Sequence, residues 1–192
     1  HGNGAPLENF IFVQMWLAEL GVQSYSFDYR GFGLSSGWPS EKGIALDSDA
    51  VWDYVLEQEG IDPEKILIVG ISVGSAPASR IAAKHSPRLL LLVSAFTDLK
   101  SAVRAQPLIG FLWPFVRYRF STIDQVKLLS KTDLLLAHGR NDKVVPCDHS
   151  RKLEAAYGGC GRSRRLVSEA GGHNLAFFEL REELGKTLNE WL

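Results

Sequence analysis

The sequence predicts an α/β protein built on a largely parallel sheet, and three observations carry that prediction. Short apolar runs alternate with longer amphipathic ones along all 192 residues. The β-branched run Ile66 to Ile71 reads as a fully buried strand, the habit of parallel sheets covered on both faces. Gly70-Ile71-Ser72-Val73-Gly74 then joins that run to small residues, Ser72 to Ala83, suited to a helix packed tightly on the strand.

The elements follow in order. Leu7 to Leu20 places Phe10, Val13, Leu17 and Leu20 on one helical face, and Gly21 ends the run as a C-cap would. Val22 to Tyr29 predicts a strand. Arg30 to Lys42 is a loop rich in Gly and Ser, and the helix after it turns Val51, Trp52, Val55 and Leu56 inward. Pro77 falls near the first turn of the Ser72 to Ala83 helix, where a missing N–H costs least. Leu89 to Val93 and Leu134 to Ala137 predict two more strands. A short helix from Asp148 to Tyr157 and a strand around Arg165 to Val167 come next. The last helix carries Phe177, Leu180, Leu184, Leu188 and Trp191. No repeat or linker divides the chain, so residues 1–192 read as a single domain.

Composition narrows the function. With 45% hydrophobic and 22% charged residues the chain is neither disordered nor collagen-like. Lysine and arginine number 21 against 22 acidic residues, so no global charge favours nucleic acid. Cys147 and Cys160 show no CxxC spacing and no company of metal ligands, which argues against a disulfide framework and favours a reducing compartment. The apolar stretches Leu89 to Val93 and Leu108 to Val116 fall short of the ~20 residues that span a bilayer. The expected location is cytoplasmic or membrane-associated.

The chemistry centres on Ser72. A G-x-S-x-G between a buried strand and a helix is the context of a nucleophile elbow, which holds the serine hydroxyl above the sheet edge at a helix N-terminus. The plainer reading is a turn that contains a serine. A serine nucleophile needs a base and an orienting acid. Asp142, in His138-Gly139-Arg140-Asn141-Asp142, follows the strand Leu134 to Ala137, and His173, in Gly171-Gly172-His173-Asn174, follows the last strand. Active residues of open α/β sheets gather at those strand ends. An Asn-Asp turn or a loop histidine is bland alone; three such placements in the order Ser, Asp, His are much less so. His85, His138 and His149 sit in or beside secondary structure and are weaker candidates, and His1 reads as structural. A tetrahedral intermediate needs two oxyanion donors, for which the N–H groups of Val73 and Asn3 are the candidates.

His1-Gly2-Asn3-Gly4, Asp28-Tyr29-Arg30-Gly31-Phe32-Gly33-Leu34-Ser35, Gly70-Ile71-Ser72-Val73-Gly74-Ser75-Ala76-Pro77, His138-Gly139-Arg140-Asn141-Asp142 and Gly172-His173-Asn174 fall in the order of the α/β-hydrolase superfamily. Their spacing resembles that of the α/β-hydrolase-domain-containing proteins that include protein depalmitoylases. The resemblance implies Ser72 as nucleophile, His173 as general base, Asp142 as its partner, and Asn3 and Val73 as oxyanion donors. It implies an acyl ester or thioester substrate, no metal or organic cofactor, and a peripheral membrane contact. In that fold a strand runs into the His-Gly turn and lies between the strands that are here Val22 to Tyr29 and Ile66 to Gly70. The sequence starts at the turn with His1, so it reads as an α/β-hydrolase domain lacking its N-terminal strands.

The stretch from Thr97 to Lys127 corresponds to a small cap over the site in the resembling proteins. Phe111, Trp113 and Phe115 there would form an apolar wall for an acyl chain, or else belong to a helix pair buried on the core. Arg117 and Arg119 suit an anionic headgroup or plain solvation, and Arg162, Arg164 and Arg165 read as a solvated loop. Two other nucleotide-type readings fail. Gly31-Phe32-Gly33-Leu34-Ser35-Ser36 is a degraded dinucleotide fingerprint interrupted by Trp38-Pro39, and no Gly-Lys-Ser/Thr follows Gly70. A non-catalytic scaffold acting as a binding module is the alternative to a hydrolase.

Overall fold

The computed structural model describes residues 1–2, 10–57 and 61–191. Helices α1 (Ile11–Glu19) and α2 (Glu41–Glu57) precede strand β1 (Leu67–Ile71), helix α3 (Ser75–His85) and strand β2 (Leu89–Val93). Two short helices, α4 (Leu99–Arg104) and α5 (Thr122–Lys127), lead to strand β3 (Asp133–Gly139). Helix α6 (Asp148–Ala156), strand β4 (Ser163–Ser168) and helix α7 (Ala176–Trp191) complete the chain. The sheet runs β1-β2-β3-β4 with every neighbouring pair parallel, from Leu67 opposite Leu89 to Gly139 opposite Ser168.

Strand β2, four leucines and Val93, owes its composition to burial on both faces. Leu89, Leu91 and Val93 point with Leu135, Ala137 and Leu166 into one core layer, covered by Val13, Trp16 and Leu17 of α1 and Phe177, Leu180, Leu184, Leu188 and Trp191 of α7. Leu90 and Leu92 point the other way with Leu134 and Leu136, against Ala78 and Ala82 of α3, Val126 of α5 and Leu153 of α6. Each fully buried leucine contributes roughly 1.5–3 kcal/mol. Tyr29, Ile44, Ala76, Phe96, Ala102, Phe120 and Val145 form a third cluster.

Four expectations need correction. Residues 22–29 form no strand, although Gly21 turns the chain out of α1 as expected, with φ +74°. That segment and β1 line a common cavity of about 560 Å3, so neither supplies the other's ladder bonds. For the same reason β1 is not fully buried: only Gly70 is, and its other residues are half-buried. In α2 the buried residues are Gly43, Ile44, Ser48 and Trp52, while Val51 and Val55 face the cavity rather than a packed core. Arg164 and Arg165 lie in β4, where Arg165 pairs with Glu154 of α6. Arg162 pairs with the buried Asp133 and stacks over Trp191. These arginines tie β4 to its neighbours instead of lining a free loop.

Candidate active site

The turn at Ser72 is built as the small residues require. Ser72 sits at φ +51°, a left-handed conformation costly for a residue with a Cβ, in a single 3-10 turn between β1 and α3. Two glycines make the turn possible. A Cβ on Gly70 would lie 2.7 Å from the Cβ of Ala78, and one on Gly74 would lie 2.8 Å from the carbonyl oxygen of His1. Val73 follows Ser72 in the same turn, at the start of α3 where N–H groups lack helical acceptors. Gly2 also borders the elbow, since a Cβ there would lie 3.7 Å from Ser72 Cβ. Asn3 lies outside the described residues.

Ser72 and His173, 101 residues apart in sequence, meet with Asp142 in one hydrogen-bonded chain. His173 Nε2 is 3.1 Å from Ser72 Oγ, and His173 Nδ1 is 2.7 Å from Asp142 Oδ2. The histidine is 16% exposed and the carboxylate fully enclosed. Burial opposes the charge of Asp142, but hydrogen bonds from His138, His173 and the Val145 N–H outweigh it and hold its carboxyl well below the usual carboxylate range. Its Oδ1 accepts from the N–H groups of Val144 and Val145, both at 2.8 Å.

The two loops carrying Asp142 and His173 are stitched together. Gly139 packs so closely on Gly171 that a Cβ would lie 2.2 Å from its carbonyl oxygen. The Asn141 N–H donates to Gly171, and the Asn141 side chain donates to the Glu169 carbonyl. Ser94, at φ +50° just after β2, donates its hydroxyl to the His173 carbonyl at 2.9 Å. The sequence carries no signal for Ser94, a lone serine after an apolar run, and ranks His138 only as a weaker candidate although it stands four residues before Asp142.

Phe111, Trp113 and Phe115 lie in a 3-10 segment, Gly110–Phe115, with no buried residue; they are 73%, 39% and 78% exposed. These three side chains therefore belong to no helix buried on the core, although α4 and α5 on either side of them bury Ala102 and Val126. Pro114 inside this segment removes an N–H that a regular helix needs. Arg104 of α4 lies 5.5 Å over the Trp113 ring, and Gln106 donates to the Val144 carbonyl beside the Asp142 turn. The 560 Å3 cavity is lined neither by these aromatic side chains nor by Ser72, Asp142 or His173. Among the described residues no cluster of His, Cys, Asp or Glu is placed to hold a metal ion, and no helix is long and apolar enough to cross a membrane.

Comparison with known proteins places the chain in a family. The family model described as Hydrolase_4, serine aminopeptidase S33, matches residues 1–125. The mouse (Mus musculus) α/β hydrolase domain-containing protein 17C is 30% identical over 186 residues, covering 91% of this chain and 52% of its own length. The chain thus spans about half the length of the curated relatives it matches. An α/β hydrolase from Vibrio vulnificus shares the fold with a TM-score of 0.78 at 24% identity, over 98% of this chain and 70% of that one. An esterase of Pyrococcus furiosus does so with a TM-score of 0.79 at 20% identity, over 100% of this chain and 81% of its own. The chain belongs to the serine aminopeptidase S33 family of the α/β-hydrolase superfamily.

Proposed function

We propose that the chain is a serine hydrolase that cleaves acyl esters or thioesters through an acyl-enzyme. The observation that carries this reading is the hydrogen-bonded run from Ser72 Oγ through both nitrogens of His173 to the enclosed Asp142. Ser72 Oγ attacks the acyl carbon while His173 Nε2 takes its proton. Asp142, accepting from His173 Nδ1–H, fixes the tautomer and stabilises the imidazolium. The negative oxygen of the tetrahedral intermediate is held by the N–H of Val73 and, in this proposal, of Asn3. Collapse of that intermediate breaks the bond to the alcohol or thiol, which leaves with the proton from His173. Water, deprotonated by His173, then attacks the acyl-enzyme, releasing the carboxylic acid and restoring Ser72.

An acyl substrate suits the apolar Phe111, Trp113 and Phe115 of the cap-like segment at 97–127, which we assign to the acyl chain. The same exposed side chains would meet a membrane surface carrying acyl substrates. A fluorophosphonate probe followed by peptide mass spectrometry tests the reading. The adduct is expected on Ser72, absent in Ser72→Ala and strongly reduced in His173→Ala. Undiminished hydrolysis of p-nitrophenyl butyrate by a folded Ser72→Ala variant would end the assignment.

A further inference from the structure

Asp142 is held by a second imidazole that the three-residue chain does not use. His138, four residues earlier and opposite Val167 in the β3–β4 ladder, is completely buried. Its Nε2 lies 2.8 Å from the Val145 carbonyl oxygen and 3.3 Å from Asp142 Oδ2, the same oxygen that meets His173. A carbonyl can only accept, so Nε2 carries a hydrogen, which bonds to Val145 and faces Asp142 Oδ2 from 3.3 Å. The other nitrogen, Nδ1, is buried without a hydrogen-bond partner, which agrees with the hydrogen residing on Nε2. The Val145 residue that accepts from His138 also donates its own N–H to Asp142 Oδ1. The ring therefore grips both the carboxylate and the turn that presents it.

We propose that His138 is a positioning residue for the catalytic chain: its Nε2–H fixes the Oδ2 of Asp142 against His173 Nδ1. This rests on the hydrolase reading above for its catalytic consequence, but not for its geometry. Without the clamp, Asp142 keeps its two backbone donors on Oδ1, and Oδ2 is held by His173 alone. Oδ2 can then swing with the imidazole it is meant to orient, and catalysis is sensitive to displacements of this kind. The clamp also has an electrostatic consequence. The His138 N–H draws charge from Oδ2, so its removal leaves more negative charge facing His173 and favours the imidazolium. His173 and His138 are the titratable side chains that Asp142 meets, from the loop after β4 and from β3; His149 of α6 lies near His138 and is itself bound by the Thr97 N–H.

The test compares His138→Leu, which removes the donor, with His138→Gln, whose amide reaches the Nε2 position and restores it. Fluorophosphonate labelling of Ser72 and the kcat for p-nitrophenyl butyrate are expected to fall roughly tenfold to a hundredfold in the leucine variant with KM little changed. The glutamine variant should return close to wild type. By NMR the His173 imidazole should titrate at higher pH in His138→Leu and return in His138→Gln. A residue that only filled space would move neither kcat nor the titration in this donor-dependent way. Wild-type labelling and an unmoved titration in a folded leucine variant overturn the proposal, as does a glutamine variant as slow as the leucine one. If the leucine variant does not fold, His138→Asn, whose shorter amide cannot reach Oδ2, takes its place; equal rates for asparagine and glutamine then overturn the proposal. Failure of the wild-type chain to label would instead sink the hydrolase reading, and the NMR titration would still decide the role of His138.

Discussion

Asp142 shows how a single buried charge is made stable and useful at once. Its side chain is fully enclosed, yet two backbone N–H groups and two imidazoles satisfy it. Because its carboxyl titrates below the usual range when folded, it adds stability above about pH 4 that is lost as the pH falls below the unfolded carboxylate value. Asp142→Asn should therefore do two things. It should lower kcat by about 10^4-fold, because an amide no longer fixes the imidazole tautomer. It should also flatten the acid limb of stability: urea midpoints of the wild type should climb more steeply than those of the variant between about pH 3 and pH 5. Parallel pH dependence in the two proteins would show that Asp142 is not held ionised by its partners. The position of this residue was legible in the sequence because Asp142 follows a strand of leucines, whereas its grip by Ser94-anchored His173 and by His138 depends on side chains that come together only in the folded sheet.

Among the elements, the β1–turn–α3 unit concentrates the strain of the site. Ser72 stays left-handed because its neighbours leave no other course: Gly70 lets Ala78 of α3 approach the strand, and Gly74 lets the chain at His1 pass across the turn. Gly70→Ala would set a methyl group 2.7 Å from Ala78 Cβ and equally close to the Gly74 carbonyl oxygen. Overpacking of this kind costs roughly 1–3 kcal/mol. Chemical denaturation should show that loss, and activity should fall further than stability because the displaced turn carries Ser72, the proposed nucleophile. Full activity with unchanged stability would mean that α3 can withdraw from β1 without moving Ser72. This unit was readable in advance because glycines, a β-branched run and small helical residues each imply close packing. The cap-like segment was not readable. Its apolar residues fit a buried helix as well as a surface turn, and the proline and glycine that decide between them act only through backbone hydrogen bonds.

At the scale of the whole molecule the sheet is unevenly defended. β2 and β3 are sealed on both faces, with every leucine of both strands inaccessible, while the outer edge of β1 borders the 560 Å3 cavity shared with residues 22–29. The strand expected over Val22 to Tyr29 does not form, because a strand also needs a partner at ladder distance, and a sequence pattern says nothing about that distance. Trp52 lines the same cavity with its indole N–H buried and unpartnered, a further sign of loose packing on this side. In a parallel pair successive residues send their N–H groups to opposite edges, so about half of the β1 amides bond to β2 and the others point towards the cavity. Hydrogen exchange should reveal the asymmetry. Amides of β2 and β3 should exchange only with global unfolding, those of β1 that meet β2 somewhat faster, and the cavity-facing ones of β1 orders of magnitude faster. Uniform protection from β1 through β3 would mean that residues 22–29 close on β1 in solution and complete a ladder.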